Sequence, residues 1–416
     1  MLTVPEASAR ILADIRSLPP ERVPLLDALG RVLAGPVAAP LTVPPWDNSA
    51  MDGYAVRGAD IAGATKSTPV TLPVRETVAA GQFPSGPIAG AIAVRIMTGA
   101  PIPEGADTVI RVEDTDGGLT TVVVLDARDL RKNVRARGED FHEGTVLLPG
   151  GTPVGAAQIG VLASIGVSAV DVHRRPRVAI LGSGDELVDL DRFNEALAGR
   201  KIVSSNSYTL QAMIRAAGGE PVNLGIARDD PADLRERLER AAGCDLLVTT
   251  AGVSVGEFDY TRDVLAALGA VMSFWRVRMR PGAPVGFGML NGMPWIGLPG
   301  NPVSTMVTFD LFVRPVIRRM LGHELLFRRP VPVTLEEPVT IGAALTHFLR
   351  AVVSTHPDNS MSARLTGPQG SGILSSMAAA NALLVVPHER PRREAGEVLN
   401  ALILTDEAHL ATHFAL

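Results

Sequence analysis

The sequence predicts a multidomain α/β protein in which a parallel-sheet α/β domain lies between β-rich regions. From residue 177 to residue 320, strand-like apolar runs alternate with helical patterns. That order is typical of a parallel sheet with helices on both faces. Short alternating runs rich in Val and Thr precede this part and return after residue 330, which indicates β domains on either side. A chain of 416 residues has room for about two to four domains.

Short helices and β structure are expected in the N-terminal part. Apolar residues at helical spacing predict a helix over residues 6–18, which two prolines would end. A second short helix is expected over residues 25–33. Residues 41–148 are rich in Gly, Pro, Thr and Val, which predicts a β domain. Residues 156–165 predict a helix followed by a short strand.

Strands and helices alternate in the predicted α/β domain, and strands alone follow it. The expected strands cover residues 178–181, 222–226 and 246–250, and the expected helices cover residues 208–217, 231–242, 260–268 and 302–320. Beyond these, strands are expected over residues 331–335, 348–353, 382–386 and 398–403. The C-terminal part is therefore expected to be a small β domain.

Composition excludes several classes of protein. Hydrophobic residues make up 46% of the chain and charged residues 20%, and no apolar run is long enough for a membrane span. The N-terminus lacks a secretory pattern. The single cysteine, Cys244, excludes an intrachain disulfide framework and is expected to be a buried thiol. A cytoplasmic location fits. The net charge of −5 gives no support for nucleic-acid binding, and the basic stretch 128–137 is interpreted as solvated surface.

The segment from Pro45 to Val56 is the most informative stretch of the chain. It places Asp47, Asn48 and Asp52 close together behind two prolines, which indicates an ordered loop presenting polar groups. Two interpretations of Asp47 and Asn48 stay open, an Asx turn that bonds its own backbone or a functional role. Asp52 has no evident capping role, which favours function.

Three glycine-containing loops are expected at one edge of the parallel sheet. Each follows an apolar strand, and ligands of open α/β sheets bind beyond the carboxyl ends of the strands. Glycine admits a ligand close to the backbone, and helix starts attract anions. Asn301 and Pro302 also suit the N-cap and first position of a helix, so both interpretations coexist there. The candidate substrate-binding residues are Gly182, Ser183, Gly184, Asp185, Gly252, Ser254, Gly256, Glu257, Pro299, Gly300, Asn301 and Pro302.

Acidic residues are expected at the same edge. The four carboxylates in question belong to Glu186, Asp229, Glu257 and Asp259. Carboxylates beside a phosphate-binding loop suit Mg²⁺, which combines one or two of them with substrate oxygens. Asp230 precedes a proline and is better explained as an N-cap, and Asp185 is explained equally well by shaping its turn.

Three arginines are expected on one face of a strand. Arg276, Arg278 and Arg280 alternate with apolar residues over residues 274–279, and side chains of equal parity share one face of a strand. They either line an anion pocket or pair with the acids. The pocket is favoured, because a Pro-Gly pair ends the strand beside the predicted edge.

Taken together and in order, these motifs resemble the signature of the molybdopterin molybdenumtransferase family, which includes bacterial MoeA and the E domain of gephyrin. The matching motifs are the run from Pro44 to Val56, Met97-Thr98-Gly99-Ala100-Pro101, Gly184-Asp185-Glu186-Leu187, Arg228-Asp229-Asp230-Pro231, Gly252-Val253-Ser254-Val255-Gly256-Glu257 with Asp259-Tyr260, Gly297 to Ser304, and Gln369-Gly370-Ser371. The resemblance implies a molybdopterin-binding-like α/β domain and a small C-terminal β-barrel.

The resemblance also implies the reaction and its residues. Family members bind adenylylated molybdopterin, take up molybdate, hydrolyse the adenylate and release the molybdenum cofactor. Glu186 and Asp259 would hold Mg²⁺. The residues implied in catalysis are Asp52, Thr98, Asp229, Arg276, Arg280 and Ser371.

An elongated homodimer is implied as well, with Asp52 and Thr98 supplied by the β domain of the partner subunit. A molybdopterin adenylyltransferase would act upstream. The domains would be an elongated linker domain (residues 1–40 and 140–175), a β domain carrying Asp52 (41–139), the α/β domain (176–328) and the C-terminal domain (329–416).

Four positions depart from the family pattern. Arg276 and Arg280 stand where lysine is usual, Ala283 replaces the last lysine of a Lys-Pro-Gly-Lys run, and Ala251 replaces a glycine. Two alternative functions therefore stay open, a paralogue that binds a pterin or nucleotide without full turnover, and a scaffold. Molybdate and tungstate are dianions of nearly equal size, and the sequence does not separate them.

Overall fold

The computed structural model describes residues 1–251 and 260–405. The chain folds into two compact units. The large unit comprises Met1–Gly35, Gly151–Ile159 and Ala169–Leu416, and the small unit comprises Pro36–Gly150 and Gly160–Ser168. The four domain boundaries expected from the sequence stay predictions.

A six-stranded sheet forms the centre of the large unit. The strands lie in the order Glu220–Ala227, Arg177–Ser183, Leu246–Thr250, Met293–Leu298, Gly286–Leu290 and Ala270–Phe274. The first four are parallel, as predicted. Gly286–Leu290 pairs antiparallel with both of its neighbours, which was not predicted. Its hairpin with Met293–Leu298 turns at Asn291-Gly292, whose φ values of +50° and +85° suit the tight turn that Asn-Gly favours.

Helices cover both faces of this sheet, as expected. Val178 and Ile180 pack in one apolar cluster with Leu210 of helix Ser205–Ala216. Their strand neighbours Ala179 and Leu181 pack on the opposite face, in a cluster that contains residues of helices Pro231–Glu239 and Tyr260–Ala267. Successive side chains of a strand alternate between faces, and the continuous apolar run is therefore buried on both sides.

Several helices differ from their predicted bounds. The first helix is Val4–Ala13, shorter than predicted, and a capping box between Thr3 and Glu6 fixes its start. The second is only the 3₁₀ turn Leu25–Ala28.

The helix expected over residues 302–320 consists of Pro302–Thr308, a wide π turn Phe309–Val313 and Arg314–Met320. Pro315 lacks the N–H that would bond four residues back, which accounts for the wide turn. The remaining helices are Ala156–Ser164, Phe193–Leu197 and Leu374–Ala378.

The C-terminal strands close into a small β-barrel, which confirms the expected barrel. Strand Thr346–Thr355 pairs with both Met361–Leu365 and Ala382–Val386. Val398–Ile403 and Pro330–Leu335 complete the ring. The first residues of Thr346–Thr355 also pair with Met279–Arg280, so the barrel is joined by backbone hydrogen bonds to the chain that leaves the central sheet. Short strand pairs complete the large unit: Pro20–Pro24 with Ala169–His173, Leu187–Val188 with Ile202–Val203, and Val339–Thr340 with Arg392–Arg393.

A five-stranded sheet forms the small unit. Its strands lie in the order Thr108–Arg111, Gly53–Val56, Ala93–Ile96, Val70–Val78 and Thr121–Val124, and apolar clusters cover both of its faces. Two short ladders accompany it, Asn48–Ser49 with Val134–Arg135 and Val37–Ala38 with Val146–Leu148. Gly53 permits a close approach of two strands, since a Cβ there would lie 1.9 Å from the carbonyl oxygen of Ile110.

The stretch 128–137 is mainly exposed surface, as expected, and Asp129 is its one buried residue. Asp129 is 2% exposed and accepts two hydrogen bonds from the Arg111 guanidinium at 2.7 and 2.9 Å. This contact lowers the pKa of Asp129. Cys244, expected to be a buried thiol, is instead a free thiol of intermediate exposure, and its partial burial raises its pKa. Within the described ranges, no helix has the length and apolarity needed to cross a bilayer.

Ala251 offers a test of backbone strain. Its φ is +67°, a region that costs a residue with a Cβ about 1–2 kcal/mol. We expect Ala251→Gly to stabilise the large unit by about 1 kcal/mol and to raise its Tm by about 2 °C in calorimetry. Ala212→Gly, at an exposed position in the interior of helix Ser205–Ala216, is the matched control and should destabilise by about 1 kcal/mol. Equal losses in the two variants would contradict the strain.

Candidate active site

Asp52 and Thr98, which the resemblance assigns to one site, lie together in the small unit. The Thr98 backbone N–H and hydroxyl both donate to Asp52 Oδ1, at 2.7 and 2.8 Å. These two bonds stabilise the charged carboxylate and lower the pKa of Asp52, and the positive charge of Arg95 lowers it further. The loop therefore presents an exposed carboxylate that is fixed in orientation and ionised.

Asp47 does not form an Asx turn, so that interpretation of the motif is wrong for this residue. Its carboxylate accepts a hydrogen bond from the backbone N–H of Arg137 at 2.6 Å. Asn48 is buried, and its amide donates to the Trp46 carbonyl at 3.4 Å. Asp47 thus holds two distant segments together and positions the loop that ends at Asp52.

At the carboxyl edge of the central sheet, the loops after two neighbouring strands bind each other. The backbone N–H of Asp185 donates to the Asp229 carboxylate, and that of Asp229 donates to the Asp185 carboxylate, both at 3.3 Å. Lys201 also donates to the Asp185 carbonyl. Asp230 caps the next helix through the N–H of Asp233 at 3.1 Å, which confirms its predicted role. Gly252, Ser254, Gly256, Glu257 and Asp259 lie outside the described residues.

Glu186 is the described carboxylate that fits a metal ligand. It is exposed, its carboxylate accepts no hydrogen bond from a described residue, and its oxygens lie over Gly184, where an added Cβ would come within 2.5 Å of Oε2. Hard carboxylate oxygen suits Mg²⁺. The part of the chain that the structure describes contains no group of three acidic, His or Cys side chains able to hold a metal. Glu186 therefore presents a carboxylate without a hydrogen-bond partner among the described residues at this edge of the sheet.

The start of helix Ser205–Ala216 lies at the same edge and was not predicted as part of the site. The hydroxyls of Ser204 and Ser207 are 2.8 Å apart, and the Asn206 amide donates to the Gly300 carbonyl at 2.7 Å. Asn206 Oδ1 is buried without a hydrogen-bond partner among the described residues. The run Ser204-Ser205-Asn206-Ser207 is a helix-start signal that was available in the sequence. Through Asn206, this helix start holds the third glycine loop in place.

Arg276, Arg278 and Arg280 are all exposed, but they do not lie on one strand, and the predicted strand 274–279 is therefore wrong. The chain forms Ala270–Phe274, then an irregular segment, then Met279–Arg280. Exposure still alternates: Arg276, Arg278 and Arg280 are exposed, whereas Val277 and Met279 are buried. None of the three forms a salt bridge with a described carboxylate, which supports the anion pocket over ion pairing.

A cavity of about 730 Å³ lies between the sheet edge and the barrel. That volume suits a small-molecule ligand. The Asn301 amide donates to Ser371 Oγ at 2.9 Å, and the Val303 N–H donates to the Ser371 carbonyl at 3.1 Å. Asn301 occupies the N-cap position before Pro302, as predicted, but its side chain makes no capping bond. The polar residues and glycines that line the cavity are Arg280, Gly282, Asn301, Ser304, Thr340, Gly342, His347, Arg350, Gln369, Gly370 and Ser371.

Comparisons with known proteins cover almost the whole chain. Family models match the MoeA N-terminal region (domain I and II) over residues 2–166, a probable molybdopterin binding domain over residues 179–319, and the MoeA C-terminal region (domain IV) over residues 332–404. Molybdopterin molybdenumtransferase 2 of Mycobacterium tuberculosis is 38% identical over 403 residues, which cover 95% of this chain and 98% of the relative. The chain belongs to the MoeA family of molybdopterin molybdenumtransferases.

Two further relatives agree with this membership. The molybdopterin molybdenumtransferase of Bacillus subtilis is 34% identical over 414 residues, covering 98% of this chain and 95% of the relative. The crystal structure of the molybdopterin biosynthesis moeA protein from Pyrococcus horikoshii OT3 superposes with a TM-score of 0.84 at 29% identity, over 97% of this chain and 100% of that one. The MoeA fold therefore extends across the described residues.

Arg350 also shapes the site of this MoeA protein and, like Asn206, was not predicted from the sequence. It is fully buried. Its guanidinium donates to the carbonyls of Pro368, Gln369 and Gly370 at 3.1, 3.1 and 2.9 Å and to the Ser376 hydroxyl at 2.9 Å. No described carboxylate pairs with it. The side chain therefore shapes the loop that presents Ser371 to Asn301. Its position in a continuous apolar strand gave no local signal.

Thr98→Val should raise the pKa of Asp52. The variant loses the hydroxyl donor and keeps the backbone donor, so the pKa rises towards its ordinary value without reaching it. The pKa of Asp52 is lower in the folded protein than in the unfolded chain. The stabilisation that the Thr98 contact gives is therefore fully present above the unfolded pKa of Asp52 and is lost as the pH falls through its folded pKa. Titration of the Asp52 carboxyl by NMR measures the shift. Thr98→Ser keeps the hydroxyl and should titrate like the wild type, and identical titration of the valine variant would refute the assignment.

Arg350→Met should destabilise the protein and loosen the Ser371 loop. It removes the guanidinium donor from the carbonyls of Pro368 and Gln369 and one of the two donors from the Gly370 carbonyl, which we expect to cost about 2–4 kcal/mol in urea unfolding. Hydrogen exchange of residues 366–373 should accelerate. Arg364→Met is the control, since Arg364 is exposed on the neighbouring strand Met361–Leu365 and should change stability by less than about 0.5 kcal/mol. Unchanged exchange in the Arg350 variant would show that the loop is held by other contacts.

Proposed function

We propose that the protein inserts molybdate into adenylylated molybdopterin, with hydrolysis of the adenylate and release of AMP. The observation that carries this proposal is the cavity of about 730 Å³ in which Arg280, Asn301 and Ser371 meet. It lies at the carboxyl edge of an α/β sheet, the place where such sheets bind ligands. An arginine with no described acidic partner suits phosphate and molybdate oxygens alike.

The residues of the large unit divide into charge and orientation roles. Arg276 and Arg280 attract the phosphate and oxyanion charges, and their planar guanidinium groups donate in pairs to tetrahedral anions. Asn301 and Ser371 are hydrogen-bonded to each other and offer their remaining donor and acceptor positions to the substrate. Water attacks the adenylate phosphorus, the bond to the molybdopterin phosphate oxygen breaks, and AMP departs. Fixed positive charge stabilises the charge that develops on phosphorus oxygens.

Mg²⁺ is part of the proposal, with Glu186 and Asp259 as its protein ligands. The ion would neutralise charge on the phosphate oxygens. Glu186 fits this role because its carboxylate makes no hydrogen bond to a described residue. The Asp229 carboxylate accepts a hydrogen bond from the N–H of Asp185. Asp229 therefore contributes by fixing the positions of the two acidic loops relative to each other.

The assembly is also proposed. We expect a homodimer in which Asp52 and Thr98 act in the partner subunit's site, a molybdopterin adenylyltransferase as the upstream enzyme, and a cytoplasmic location. The Asp52–Thr98 pair supports the homodimer, because an ionised carboxylate that is fixed on an exposed loop can reach into the site of a partner subunit.

A catalytically weak paralogue is the second candidate function. Ala283 lines the cavity beside Arg280, at the position where the family pattern has a lysine. One cation is therefore missing from the wall of the proposed oxyanion site. Such a protein would bind adenylylated molybdopterin and retain it.

The test is molybdate-dependent release of AMP from adenylylated molybdopterin with Mg²⁺. Wild type should release AMP only when molybdate is present, and Asp259→Ala and Glu186→Gln should lower the rate by about 100-fold, since each removes a proposed metal ligand. Glu239→Gln, at the exposed end of helix Pro231–Glu239, is the control and should match the wild type. If the wild type binds adenylylated molybdopterin but releases no AMP, and Ala283→Lys restores the release of AMP, the weak paralogue is favoured.

A further inference from the structure

Trp46 and Phe83 form an exposed aromatic pair in the small unit. Their ring centroids are 4.8 Å apart with an interplanar angle of 69°, and the residues are 38% and 64% exposed. Aromatic residues make up only 4% of the chain. A single exposed ring would need no explanation, but a paired aromatic surface is typical of a site that binds something flat.

Polar contacts hold the chain segments that carry the two rings. Trp46 precedes Asp47, whose side chain is fixed by the Arg137 N–H at 2.6 Å. The loop that carries Phe83 is held from the other side. Arg75 donates to the carbonyls of Gly86 and Pro87, both at 2.8 Å.

Glu76 completes that support. It accepts from the N–H and hydroxyl of Ser85 at 3.1 and 2.8 Å and pairs with Arg75 at 2.8 Å. The backbone on both sides of the aromatic pair is therefore held by hydrogen bonds, and the rings contact each other, which lowers the entropic cost of binding a ligand to them.

The aromatic pair is continuous with the Asp52–Thr98 pair. Residues 47–52 run beside residues 98–102: the Ile102 N–H donates to the Asp47 carbonyl at 2.9 Å, and the Gly99 N–H donates to the Ser49 carbonyl at 2.8 Å. The stretch from Thr98 to Ile102 spans at most about 14 Å. One ridge thus carries an ionised carboxylate at one end and, at the other, two exposed aromatic rings set edge to face.

We propose that Trp46 and Phe83 are a stacking platform for a fused heteroaromatic ring of the substrate. This inference rests on the proposed function, because adenylylated molybdopterin carries such a ring at each end, a pterin and an adenine, joined through phosphates. A ring stacked on the platform places the phosphate linkage towards Asp52. Pterin and adenine share the chemistry that the platform recognises, and the experiment separates them.

The test is ligand binding to the full-length protein without turnover. Pterin alone and AMP alone are titrated by equilibrium dialysis and by tryptophan fluorescence, which reports on Trp46, Trp275 and Trp295. Trp46→Leu and Phe83→Leu should each raise the Kd of pterin, AMP or both by about tenfold, a usual effect of losing one stacking partner. Trp46→Phe should recover most of the affinity. Leu119→Ala, at another exposed apolar residue of the small unit that is 65% exposed, should leave both affinities unchanged.

Each outcome of this experiment has a distinct meaning for the platform. Loss of pterin affinity alone, or of AMP affinity alone, supports the platform and names its ring. Unchanged affinities for both ligands in Trp46→Leu and Phe83→Leu overturn it, and a change of oligomeric mass without a change of affinity identifies the pair as a subunit contact instead. With substrate, the leucine variants should raise KM and leave kcat near the wild-type value. A wild type that binds through Trp46 but never releases AMP contradicts the proposed function and leaves the platform standing.

Discussion

The buried guanidinium of Arg350 is the constraint on which the cavity depends. A fully buried arginine is costly unless its donors are satisfied, and here backbone carbonyls and the Ser376 hydroxyl satisfy them. Those carbonyls belong to the loop that ends at Ser371. On the sheet side, the Asn301 amide donates a hydrogen bond to the Ser371 hydroxyl. This bond links the barrel to the sheet edge, and the cavity wall keeps its shape only while the bond is intact.

The same edge concentrates groups of opposite sign without letting them neutralise one another. Asp185 and Asp229 are occupied by each other's backbone N–H groups, and the described arginines at positions 276 and 280 form no salt bridge. Glu186 and Arg280 are exposed, so water solvates their charges at little cost to stability. Both groups therefore remain available to the Mg²⁺ and the phosphate that we propose for this edge.

Much of the fold was predictable because its signals are local. Strands Leu246–Thr250, Ala382–Val386 and Val398–Ile403 have the predicted bounds, since each is an apolar run bounded by turn residues. Asn291-Gly292 was an equally local signal for the antiparallel hairpin and was overlooked. Arg350 and the Asp47–Arg137 contact could not be foreseen, because they join residues far apart in the chain. Asp52 was singled out from its polar loop, Thr98 was found through the resemblance, and no local pattern pairs them.

The departures from the family pattern change the kind of cation more than the capacity for hydrogen bonding. A guanidinium presents five N–H donors in a rigid fork, whereas an ammonium presents three. Two arginines at positions 276 and 280 therefore offer about as many donors as three lysines, with one charge fewer. Ala283 leaves room beside Arg280 in the cavity wall, which a larger planar head group needs. On this reasoning the chain exchanges a point charge for directional donors, and recognition of a tetrahedral oxyanion then depends more on geometry and less on ionic strength.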